Sequence, residues 1–155
     1  MNNVSLKLIL MMVFTIAGPL STSAQQLPGK HPGYLHALSD LRAARWLLFH
    51  QPGDPKVSGA EDVAITEIDA AIGEIKKASI DDGKDLNEHP AVDTKEHGSK
   101  LLRAIETLNK SKADIDKEED NPEARALRHK ARDHIDRAIK AAEQAHAEWL
   151  RDKKV

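Results

Sequence analysis

The chain reads as an all-α protein, an up-down-up-down four-helix bundle made of two repeated helical hairpins. Three observations lead there. Apolar residues recur at three-four spacing in four stretches, which is the signature of amphipathic helices. Breaks rich in Pro, Gly and charge separate the stretches. The second half also repeats the first at an offset of 67 residues: Ala64, Ile68, Asp69, Ala71 and Ile72 return as Ala131, Ile135, Asp136, Ala138 and Ile139. Carried without a gap, the offset pairs Leu35 with Leu102, Ala37 with Ala104, Leu41 with Leu108, Pro55 with Pro122 and Ala78 with Ala145. Because the identities fall at apolar helical positions, they indicate two copies of one helix-turn-helix unit.

In chain order, Lys7 precedes the apolar run Leu8 to Ala17, and Thr22-Ser23-Ala24 supplies small residues. That order of charge, apolar run and small residues predicts a signal peptide over 1–24, cleaved after Ala24. Gly18-Pro19 cuts the run short of the roughly 20 residues a membrane span needs, so no stable anchor is expected. Residues 25–155 then form one domain, a length that suffices for a single core.

The first helix starts after His31-Pro32-Gly33 and carries Tyr34, Ala37, Leu38, Leu41, Ala44 and Leu48 inward, with Leu35, Trp46 and Phe49 on a second apolar flank. Gln51 to Pro55 breaks it, since proline lacks an amide hydrogen and restricts its predecessor. The second helix turns Ala64, Ile65, Ile68, Ala71, Ile72 and Ile75 inward, and Ser58 with Glu61 has the form of a capping box. The third, opened by a similar box at Asp93 to Glu96, buries Leu101, Ala104, Ile105, Leu108 and Ile115. Its acidic end, Lys117 to Asp120, opposes the helix dipole and is expected to fray. The fourth begins at Asn121-Pro122 and buries Leu127, Ala131, Ile135, Ala138, Ile139, Ala142, Ala145 and Trp149.

Composition removes several functions. The mature segment sets 22 basic against 25 acidic residues, a near balance without the footprint of a nucleic-acid binder. There is no cysteine, and all three methionines lie within residues 1–24, so haem ligation by Cys-x-x-Cys-His or by Met is excluded. No nucleophile elbow and no phosphate-binding loop occurs, and no catalysis is expected. A di-iron bundle needs two Glu-x-x-His motifs, whereas only Glu143 to His146 matches.

Eight histidines remain. With helices running up-down-up-down, the starts of the first and third meet the ends of the second and fourth. His97 shares the stripe of Leu101 and Leu108, and His146 that of Ile139 and Ala142. A divalent-metal site is therefore expected at that end, formed by His97 and His146 with His31, and with Asp82 or Asp93 assisting. Nitrogen and oxygen donors without sulfur suit copper, zinc or nickel. Polar residues capping the end of a core account for the same pattern without any metal.

The pattern Ala131-x-x-x-Ile135-Asp136-x-Ala138-Ile139-x-x-Ala142-x-x-Ala145-His146, repeated more faintly over Ala64 to Ala78, resembles small metal-binding four-helix-bundle proteins of the bacterial periplasm. The resemblance implies an exported, Cys-free bundle that binds divalent metals, copper especially. Two classes stay open: an exported bundle binding or sequestering metal ions, and a non-catalytic structural or protein-interaction module of the cell envelope. In the second, the flank of Leu35, Trp46 and Phe49 contacts a protein partner or a second copy of the chain.

Overall fold

The computed structural model describes residues 31–49, 59–77, 83–92, 94–118 and 122–154. Residues 1–30, and with them the expected signal peptide, lie outside the described residues, as do Asp82 and Asp93. Among those described, four helices form: α1 (Pro32–Leu48), α2 (Gly59–Lys77), α3 (His97–Ile115) and α4 (Pro122–Asp152).

Local chemistry sets their ends. Proline opens α1, whose cap residue His31 makes no side-chain capping bond. The carboxylate of Glu118, just past the end of α3, instead accepts from the Gly33 amide and lies 3.4 Å from His31 Nδ1. A negative charge is favourable at a helix N-terminus, so Glu118 of the acidic run expected to fray serves the start of α1. Glu96 caps α3: its carboxylate accepts from the Ser99 amide at 2.9 Å and from the Ser99 hydroxyl at 2.6 Å.

Contacts between helices give their directions. Asp40 of α1 meets Lys110 of α3 at 2.5 Å, and Gly33 lies against Glu118, so α1 and α3 are antiparallel. Lys112 with Asp136, Arg132 with Asp116, and Lys153 with Glu96 make α3 and α4 antiparallel. His97 at the start of α3 touches Glu61 at the start of α2, 2.8 Å away. The four-helix bundle stands as expected, but its order is up-down-down-up. Neighbours around the square run α1, α2, α4, α3, and α2 and α3 are parallel across a diagonal. Residues 78–96 connect them; 19 positions can reach about 60 Å, while 19-residue α3 is only about 28 Å long.

The repeat is visible in this arrangement. Arg45 Nε donates to Asp69 Oδ1 at 2.7 Å between α1 and α2, and 67 residues on, Lys112 Nζ donates to Asp136 Oδ1 at 2.5 Å between α3 and α4. Burial follows the same offset: Tyr34 and Leu101, Ala37 and Ala104, Leu41 and Leu108, Leu48 and Ile115, Ala64 and Ala131, Ile68 and Ile135, and Ala71 and Ala138 are all buried. The Asp40–Lys110 ion pair and the Gly33–Glu118 contact put Leu41 level with Leu108, its own counterpart. A pseudo-two-fold axis therefore crosses the bundle between these leucines and leaves near Ile68 and Ile135, where Glu67 meets its counterpart His134 at 2.6 Å.

The symmetry breaks at the crossover. After α2 the chain lies along the outer groove between α1 and α2 as a strap, residues 83–92. Arg42, 1% exposed, donates from Nε to the Glu88 carbonyl at 2.7 Å. Arg45 Nη1 reaches Asn87, Lys76 Nζ reaches the Lys84 carbonyl, and His89 stacks on Trp46 with ring centres 4.4 Å apart. Leu86 and Val92 pack against the core. Enclosed by α2, α3 and the strap, α1 buries even an arginine.

Candidate functional site

The helix order separates the expected metal ligands. His31 sits beside Glu118 at the far end of α3 from His97, about 28 Å away by the length of that helix. His97 and His146 do share an end. The Trp149 indole packs against Gly98, so closely that a Cβ there would overlap the ring, and His146 stacks on the same indole with ring centres 5.8 Å apart. His97 Nε2, however, faces Glu61 Oε1 at 2.8 Å. An up-down-up-down order would put His31 beside His97; the diagonal crossover puts them at opposite ends. No group of three or more His, Cys, Asp or Glu among the described residues is placed to hold a metal ion.

Glu61, which the histidine pattern does not indicate, belongs to this cluster. It is fully buried, although its place three residues after Ser58 suggests a cap. The signal was present in the spacing, because Glu61 leads Ala64, Ile68, Ile72 and Ile75 on the inward stripe. A buried carboxylate needs a polar partner, and His97 supplies one across the diagonal.

Two further polar groups are built by tertiary contact. Glu67 Oε2 receives His134 Nδ1 at 2.6 Å and Arg137 Nε at 2.9 Å. Burial pushes the Glu67 carboxyl upward, but hydrogen bonds to His134 and Arg137 outweigh it and hold the carboxyl below the usual range. A cleft of about 510 Å³ between the start of α1 and the end of α3 is lined by His36, Lys110, Asp114, Lys117 and Glu118 with Pro32 and Gly33. Its lysines are already engaged: Lys110 by Asp40 and Asp114, Lys117 by Asp114. Such internal pairing leaves no concentrated charge for an ionic ligand.

Apolar surface is distributed more unevenly than charge. The large apolar side chains exposed among the described residues are Trp46, Phe49, Val63, Leu102 and Leu150. All lie in the half of the bundle where α1 and α4 end and α2 and α3 begin. Of the flank expected to make a contact, Trp46 and Phe49 are exposed, whereas Leu35 is partly buried against the core. Arg45 lies 5.8 Å from the Phe49 ring centre, so the aromatic edge carries a cation beside it. Among the described residues, no helix is long and apolar enough to cross a membrane.

Comparison with protein-family models, with curated proteins and with solved structures gave no match.

Proposed function

We propose that the chain is an exported, non-catalytic binding protein of the cell envelope that works through protein contact. One observation carries the reading: the exposed large apolar residues gather in a single half of the bundle. Scattered exposed apolar residues are ordinary on a soluble protein, whereas a concentration of them points to an interaction surface. Residues 1–24 support export by their order of Lys7, apolar run and small residues before Gln25.

A photoreactive residue placed at Phe49, Val63 or Leu150 in the producing cell is expected to give discrete protein adducts, and one at Asp133 or Lys117 none. Equal labelling from both halves, or none from either, overturns the reading. Sequencing the mature N-terminus tests export directly, with Gln25 as the expected first residue.

Divalent-metal binding is the second reading, favoured by one arrangement, the shared end of His97 and His146 with Glu61 as an oxygen donor. A copper, zinc or nickel ion would have to draw His97 from its present 2.8 Å contact with Glu61. Calorimetry with each metal on the mature chain, against His97→Ala with His146→Ala, decides it; equal heats for both proteins exclude this site.

A further inference from the structure

The strap shows what the outer groove of one hairpin holds, and the repeat places a second such groove in the molecule. The strap crosses α1 and α2 at Arg42, Arg45 and Trp46, with Lys76 on its other side. At the repeat offset these become Asn109, Lys112, Ala113 and Glu143 along α3 and α4. No counterpart of the strap lies there among the described residues: where the chain leaves α2 to form it, α4 continues as helix to Asp152.

Burial records the difference at equivalent positions. Leu38 is fully buried and Ile72 is 2% exposed, while their counterparts Ile105 and Ile139 are only partly buried. Leu35 is partly buried, but Leu102 is 48% exposed. Leu150, 42% exposed, extends the same edge along the longer α4. Equivalent apolar positions are thus present in both hairpins, and among the described residues the chain covers them in one.

We infer that the outer groove between α3 and α4, edged by Leu102, Ile105, Ile139 and Leu150, docks a non-helical segment of a partner protein. The proposal rests on the protein-contact reading above and names its site. The strap gives the segment's chemistry: two apolar side chains about six residues apart, as Leu86 and Val92 are, with the polar run Asn87, Glu88 and His89 following the first. The second groove also differs in a way that selects. Ala113 in place of Trp46 leaves it wider, and the Asn109 amide, which now donates to the Ile105 carbonyl at 2.9 Å, stands where Arg42 grips a backbone carbonyl. Glu143 replaces the Lys76 amine, so a carboxylate faces the incoming segment there and favours a basic residue at that point.

The probe is a phage-displayed library of unstructured twelve-residue peptides panned on the whole mature chain. Enriched peptides are expected to share two apolar residues about six apart and a basic residue. Their binding is expected to fall by about tenfold or more in Leu102→Glu and in Leu150→Glu, and to persist in Trp46→Glu. Both leucines are exposed, so unchanged circular dichroism and melting of these variants verify the fold. No enrichment, or peptides insensitive to both leucine variants, overturns the groove; so does a mature chain that dimerises through Leu102, which would make a second copy the occupant. If adducts form at Phe49 while the library fails, the protein-contact reading stands and this groove does not.

Discussion

The two hairpins are built on one pattern, and among the described residues one of them is covered by its own chain while the other is not. In the first, the strap covers the outer groove, α1 is enclosed on three sides, and Arg42 is buried to hold the crossover in place. In the second, at the same register, Leu102 is exposed and Ile105 and Ile139 are only partly buried against the core. A repeated sequence pattern therefore gives equivalent cores but not equivalent surfaces. The connection between the repeats can lie against only one of them, and this breaks the symmetry.

The cores supply the largest expected effect. Leu41 and Leu108, facing each other near the pseudo-two-fold axis, are both fully buried, so Leu41→Ala and Leu108→Ala should each cost about 2–5 kcal/mol. Urea unfolding followed by circular dichroism measures both. Costs that differ by more than the strap alone explains would break the equivalence of the two halves.

Next comes the element that distinguishes the hairpins. Arg42→Ala removes a buried donor to a backbone carbonyl and should cost about 1.5–3 kcal/mol, with faster amide exchange across residues 84–92. Its counterpart change, Asn109→Ala, is at an exposed position and should stay within about 0.5 kcal/mol. Similar losses at both sites would show that the strap contributes little through Arg42.

Smaller still are the duplicated ion pairs. Arg45→Ala and Lys112→Ala each disrupt one copy of the same partly exposed interhelical contact, and ion pairs at a protein surface are worth about 1 kcal/mol or less. Arg45→Ala should be the larger of the two, because Arg45 also reaches Asn87 on the strap. A salt titration of both variants sharpens the point: the difference attributable to ion pairing should shrink as salt rises.

The smallest effect is on acid stability, at the open end of the second hairpin. Hydrogen bonds from the Ser99 side chain and backbone, joined by Lys153, lower the Glu96 carboxyl from its ordinary 4.5 to about 2. A folded-state value below the unfolded one contributes stability that is fully present above the unfolded value and lost as pH falls toward the folded value. Melting temperatures between pH 5 and pH 2 should therefore fall less steeply in Glu96→Gln than in the unmodified chain. Parallel curves would show that this cap does not couple folding to protons.

Much of this was legible from local pattern. Most inward residues of the four helices follow from their spacing, although Leu127 stays outside the core and Leu47, not on the expected stripe, is buried in it; the repeat register predicts Asp69 and Asp136 as equivalents before any contact is seen. The candidate site was less legible, for a reason that Glu61 and His31 illustrate. Glu61 has the spacing of a cap as well as a place on the apolar stripe, and choosing between these depends on His97, which approaches from across a diagonal. His31 lies beside Glu118 and not beside His97, because the order of helix directions is a property of the connections.

The sequence by itself determined four amphipathic helices, their duplication and the lack of any cysteine, because each depends on residue types and short-range spacing. Only the tertiary structure decided the up-down-down-up order, the Glu61 and His97 pair, the use of Glu118 at the start of α1 and the covering of one groove. Residues 78–96 are long enough to return beside α2 or to cross the bundle, and helical periodicity marks which face is apolar without saying which neighbour will cover it. The choice was made where Arg42, Trp46 and the core could hold the crossover in place.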